Sequence, residues 1–195
     1  MHPSIHAART PDKIAYLMAT SGEAITYAQL DERSNRIAQL LRARGLKAGD
    51  HLAMMLENHP RFFEIAWGAQ RAGIIYTAIS SRLTADEASY IVNDCAAKLV
   101  ISSNALADVA TKLPATCPAV GTWLMIGATP AGWESFESAV AGQPATRIAD
   151  ETAGTDMLYS SGTTGRPKGV FVAPESPAID ANNALIELAR KIYRI

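Results

Sequence analysis

Residues 159–170 read YSSGTTGRPKGV: three glycines, four serine or threonine hydroxyls, one proline and two cations in twelve positions. Glycine lets successive backbone N–H groups turn toward one point with no Cβ in the way. Convergent N–H groups of this kind make an anion nest. Ser160, Ser161, Thr163 and Thr164 add neutral donors and oxygens that suit Mg²⁺, Lys168 adds a point charge, and Arg166 offers a second. Pro167 stiffens the chain just before Lys168. Two or three charge-assisted bonds to one phosphate, at about 1.5–3 kcal/mol each, would hold a polyphosphate tail. The chemistry on offer is to position and neutralise a phosphate.

The spacing excludes two familiar phosphate loops. Gly162 and Gly165 are followed by Lys168 and then Gly169, which fits neither G-x-x-x-x-G-K-S/T nor the kinase G-x-G-x-x-G. Composition alone also suits a flexible Ser/Gly/Thr linker. Against a linker stand the ordered Pro-Lys-Gly exit, the lack of repetition and the β-type flanks. Met157 and Leu158 precede the stretch and Val170, Phe171 and Val172 follow it, so it is expected to lie between two buried segments.

The elements that must position it alternate. Two short apolar runs around Ser21-Gly22 predict a β-hairpin. Thr26 with Gln29 forms a capping box for a helix whose Leu30, Ser34, Ile37 and Leu41 share a face, and Gly45 suits its C-cap. DHLAMML is a buried strand; the helix after it has Asn58 as expected N-cap, Pro60 in its first turn and Gly73 as its stop. IIYTAIS is a strand, and Thr84 with Glu87 caps the helix ADEASYIVNDC. KLVIS, ALADVATKL, VGTWLMIG and WESFESAV continue as strand, helix, strand and short helix. Residues 141–156 are small and polar and read as a loop and the best candidate boundary. GVFVA is a strand, and residues 178–195 are a helix with Ala181, Leu185, Leu188 and Ile192 on one face. The fold class is α/β with a largely parallel sheet.

Bulk properties narrow the function. A net charge of −1 argues against a broad nucleic-acid or anionic-membrane footprint. Cys95 and Cys117 read as reduced, buried thiols, and His2, His6, His51 and His59 have no zinc spacing. No signal peptide and no stretch of about 20 apolar residues is evident, so a cytoplasmic protein without a membrane segment is expected. Phe62, Phe63 and Trp67 are expected to pack in the core, Asp50 to be a turn residue, His59 a helix-start residue, and the cations of RARGLK to meet a helix dipole. The final helix has an apolar face with nothing after it to cover it, so the chain is expected to be part of something longer.

Residues 160–169 resemble the phosphate-binding signature of the adenylate-forming superfamily, close to S/T-S/T-G-S/T-T-G-x-P-K-G, at every fixed position. Residues 26–73 are similar to that superfamily's opening, T-Y, N-x-x-A-x-x-L and G-D, and residues 81–94 to its L-x-x-x-E-x-x-Y segment. The wording is nearest to fatty-acid–CoA ligases. The resemblance implies that residues 1–195 are an incomplete N-terminal portion of the large domain, without its C-terminal part and the small domain. It implies an ATP-dependent acid–thiol ligase that turns a carboxylic acid, a fatty acid first, into an acyl-adenylate and passes it to coenzyme A. Ser160, Ser161, Gly162, Thr163, Thr164, Gly165 and Lys168 would cradle the ATP tail, Ser160 being a weak Mg²⁺ candidate and Arg166 a solvated cation. A homodimer is compatible with this reading.

The chain departs from the family pattern in three places. Ala78 and Ser80 stand where the family has Pro and Asn, no histidine occurs in FVAPESPAID, and the downstream Y-G-x-T-E motif, ribose-binding aspartate, hinge and catalytic lysine are absent. No catalytic residue is therefore expected in this chain, and turnover by it alone is not expected. The alternatives are a truncated, non-catalytic nucleotide- or phosphate-binding module, or an aryl-CoA ligase of the same superfamily.

Overall fold

The computed structural model describes residues 2–160, 166–174, 176–181 and 191–192. Its elements are α1 (Pro3–Arg9), β1 (Ile14–Leu17), β2 (Ala24–Thr26), α2 (Tyr27–Ala43), β3 (His51–Met55), α3 (Arg61–Arg71), β4 (Ile75–Ile79), α4 (Ala85–Asp94), β5 (Ala97–Ser103), α5 (Ala107–Ala110), β6 (Thr122–Ile126), β7 (Glu134–Ser135), α6 (Phe136–Ala141), β8 (Thr155–Ser160) and β9 (Lys168–Phe171). No described helix is long and apolar enough to cross a membrane. The helix expected over 178–195 falls mainly outside the described residues, and its expected start is corrected: residues 178–181 are a turn.

Local signals set most boundaries. Both capping boxes form: the Thr26 hydroxyl accepts from Gln29 N–H at 3.3 Å while Gln29 Oε1 accepts from Thr26 N–H at 3.0 Å, and Thr84 and Glu87 do the same for α4. Gly45, at φ +79°, ends α2 in a Schellman motif, with Gly45 N–H bonded to the Arg42 carbonyl and Leu46 N–H to that of Leu41. β1 and β2 form the expected antiparallel hairpin.

Three expectations are corrected. Asn58 does not cap α3: Pro60 holds the N-cap position in helical conformation, and His59 Nδ1 accepts from Arg61 N–H at 3.1 Å instead. ALADVATKL gives only a four-residue helix between two 3₁₀ turns, the second containing Pro114. Glu134 and Ser135 are a strand, and the short helix starts after them.

Among the described residues a seven-stranded sheet has the order β7-β6-β5-β3-β4-β8-β9, parallel except for β9 against β8. The chain steps one way from β3 to β4, then back across β3 to β5. Right-handed crossovers therefore put the two connecting helices on opposite faces. One face carries a core of Ile37, Leu41, Ile65, Ala69 and Phe136 from α2, α3 and α6. The other carries Ala88, Ile91 and Val92 of α4. Central β3 feeds both, Leu52 and Met54 on the first face and Ala53 and Met55 on the second, as a strand covered on both sides must. α2 and α3 approach so closely that a Cβ on Gly68 would lie 2.4 Å from Ile37 Cβ.

Residues 141–156 are strapped down, unlike a free boundary. Arg36 donates to the Gln143 carbonyl, Gln39 to that of Thr146, and Arg42 to Asp150 and the Ala72 carbonyl. Gly154 N–H bonds the Gln70 carbonyl, and Thr155 and Asp156 already belong to β8. The RARGLK cations thus do more than meet a dipole. Arg71 on α3, with no exposed surface, completes the strap: its Nη2 is 2.5 Å from Asp31 Oδ1. Its Nε lies 3.4 Å from Glu151 Oε1, an ion-pair distance at which neither atom makes a hydrogen bond.

The aromatic residues of α3 divide. Phe62 packs against the core, Trp67 is half-buried, and Phe63 corrects the expectation by standing 45% exposed with its ring 5.1 Å from Tyr16. Asp50 is the turn residue expected, accepting from Lys47 N–H, and also pairs with Lys98 at 2.6 Å. Cys95 and Cys117 are buried free thiols.

His2 is buried edge-on to Trp67. Burial first, and the Arg71 guanidinium second, push its imidazole from the ordinary 6.5 down to about 3. The folded state holds it neutral, whereas the unfolded chain protonates below pH 6.5. Its contribution is complete above that pH and is lost as pH falls from 6.5 toward 3. Stability is expected to drop by about 2 kcal/mol between pH 7.5 and pH 5 from this group. Urea midpoints at the two pH values check this, and a His2→Phe variant showing the same drop would remove His2 as the cause.

Candidate phosphate-binding edge

β8 lies parallel to β4 through two register pairs, Ile75 with Thr155 and Tyr76 with Asp156. Beyond them it pairs with β9, in the register Met157–Phe171, Leu158–Val170, Tyr159–Gly169 and Ser160–Lys168. The signature stretch thus leaves from the carboxyl end of a sheet strand, the edge where open α/β sheets bind ligands.

Of the sequence-derived site residues, the structure places two. Ser160 and Lys168 are direct cross-strand partners, both exposed. Paired Cβ atoms lie about 4.5–5.5 Å apart, so the hydroxyl and the ammonium share one face. Ser161, Gly162, Thr163, Thr164 and Gly165 lie outside the described residues.

The expectation of buried flanks is corrected. Leu158 is 58% exposed, Val170 56% and Val172 72%. Side chains alternate along the hairpin, so Met157 and Tyr159 turn to the α4 core and Leu158 and Val170 turn away from it.

Sequence reasoning missed the residues that hold the hairpin against α4. Tyr159 donates its phenol O–H to Asp94 at 2.6 Å. Burial, then this bond, pushes the Tyr159 phenol far above its ordinary range. Tyr90, one helical turn before Asp94, donates to the Pro167 carbonyl at 3.2 Å. The Arg166 guanidinium, expected to be merely solvated, sits 5.4 Å from the Tyr90 ring centroid. The sequence signal for Tyr90 is the E-x-x-Y spelling of residues 87–90, and Asp94 lies outside it. Gly169 admits the Tyr159 ring: a Cβ there would lie 2.2 Å from Met157 Cε and 3.0 Å from Tyr159 Cζ.

The two strands that carry the ends of this hydroxyl- and glycine-rich stretch stand at the carboxyl edge of an open α/β sheet, where such sheets bind ligands. The chain belongs to the AMP-binding enzyme family, whose profile matches residues 4–185. It is 35% identical over 175 residues to the fatty acid–acyl-carrier-protein ligase ScoC of Streptomyces coeruleorubidus, covering 89% of this chain and 32% of that one. It is 36% identical over 173 residues to the long-chain-fatty-acid–CoA ligase FadD13 of Mycobacterium tuberculosis, covering 86% and 33%. Its fold is similar to that of a solved Mycobacterium tuberculosis fatty acyl CoA synthetase, with TM-score 0.74 and 27% identity, covering 86% of this chain and 33% of that one. The chain spans about a third of the length of the relatives it matches.

Proposed function

We propose that the protein containing this chain is an ATP-dependent acid–thiol ligase, with a fatty acid as the acid and coenzyme A as the thiol. The acid's carboxylate oxygen attacks the α-phosphorus of ATP, the bond to the β-phosphate breaks, and pyrophosphate leaves. The thiol sulfur then attacks the acyl carbon and AMP leaves. Residues 1–195 supply the part that handles the nucleotide tail, in the cytoplasm, where ATP and coenzyme A are available. The supporting observation is the family signature at the carboxyl edge of the sheet, with Ser160 and Lys168 paired across its two strands.

Lys168 neutralises phosphate oxygens of the leaving pyrophosphate, and Ser160, Ser161, Gly162, Thr163, Thr164 and Gly165 donate to them. Mg²⁺, when bound, adds Lewis-acid neutralisation of the phosphates. Its fit here is through Ser160: the hydroxyl is exposed and neutral, and an ammonium stands directly across. The phosphates would therefore carry most of the metal, as Mg²⁺ prefers. Acid-dependent exchange of pyrophosphate into ATP, measured on the natural full-length protein with fatty and aromatic acids, is the test. Stimulation by fatty acids is expected; ADP and free phosphate as products, without acid dependence, would overturn the reading.

A further inference from the structure

We propose that Tyr90 and Asp94 of α4 are positioning residues for the phosphate-binding stretch, fixing its two arms to the sheet. The proposal rests on the ligase reading above. Tyr159 leads into Ser160, and Pro167 leads into Lys168. Each arm is tied to one α4 side chain, the first by the Tyr159–Asp94 bond and the second by the Tyr90–Pro167 bond. Tyr90 and Asp94 are four residues apart and so share one helix face. The Tyr90 ring also carries Arg166. β8 leaves β4 after two pairs, so these ties do what a sheet ladder does elsewhere. α4 is itself seated by the buried Ala88, Ile91 and Val92, which makes it a rigid reference for both arms. The glycine at 169 belongs to the same device, because a Cβ there would press on the Tyr159 phenol that Asp94 holds.

The test measures Mg·ATP affinity and amide hydrogen exchange on the natural full-length protein. Asp94→Ala and Asp94→Asn remove the same charge, so any effect of charge on an anionic ligand cancels between them. Only Asn keeps an oxygen to accept from Tyr159. Asp94→Ala is expected to bind Mg·ATP about tenfold more weakly than Asp94→Asn, with faster exchange at residues 159–160 and 168–171. Tyr90→Phe, which keeps the ring under Arg166, is expected to lose about three- to tenfold. Melting temperatures should stay near the wild-type value, because Asp94 is exposed. Asn and Ala variants with equal affinity, or faster exchange with no change in affinity, would overturn the proposal. Wild-type protein that binds no Mg·ATP overturns the ligase reading instead, a result visible before any variant is made.

Discussion

Lys168→Ala, in the natural full-length protein, is expected to lower the rate of acid-dependent ATP–pyrophosphate exchange by about 10- to 100-fold, and to leave the melting temperature within a degree or two. The magnitude is one charge-assisted bond to phosphate, about 1.5–3 kcal/mol. Lys168 is exposed at the start of β9, with no ion pair to it among the described residues, so the fold does not depend on its ammonium. Lys168→Arg keeps the charge but spreads it over a planar fork, and should recover part of the rate. Unchanged exchange in Lys168→Ala would remove the residue from the site. A large fall in melting temperature would show that it acts through the fold.

Arg71→Ala is expected to cost about 3–5 kcal/mol of stability, the largest single loss among the changes considered. Its guanidinium has no exposed surface and lies between Asp31 on α2 and Glu151 on the strap. Removing it takes the shared cation from the partly buried Asp31 and Glu151 carboxylates, leaving Glu151 only Arg147, and opens a void where the stem packed. In a chain of this size each kcal/mol moves the melting temperature by about 2–4 °C, so a fall of about 10 °C is expected. Segment 141–156 should also become an early site of limited proteolysis, because Arg71 is the α3 side chain that faces Glu151 of the strap. A fall under about 2 °C would show that the burial cost of the charges cancels their attraction.

Sequence signals served best where the physics is local. Thr26 with Gln29, and Thr84 with Glu87, name their own partners three residues on, and both boxes form. β3 reads as an unbroken apolar run because both its faces are covered. Asn58 failed because Pro60 moves the helix start onward and His59 takes over the cap. The strap looked like a linker because its partners, Arg36, Arg42 and Arg71, lie on distant helices and their reach is set by tertiary packing. Leu158 and Val170 looked buried because apolarity alone cannot tell a covered strand face from an open one. The family to which the signature stretch points was legible from residue type and spacing. The attachment of the stretch to α4 was not, because a tyrosine on an amphipathic helix reads as packing until its hydroxyl is seen on a carbonyl.

The two-pair ladder between β4 and β8 has a mechanical consequence. The β8–β9 hairpin is a cantilever, clamped at Thr155–Asp156 and propped from one side near its tip. A cantilever's tip is set by its clamp and its prop together. Ser160 and Lys168 lie beyond the clamp, so the α4 prop is the sheet-independent contact nearest to them. The narrow contact with α4 is therefore where a small change in side-chain length should shift the tip most.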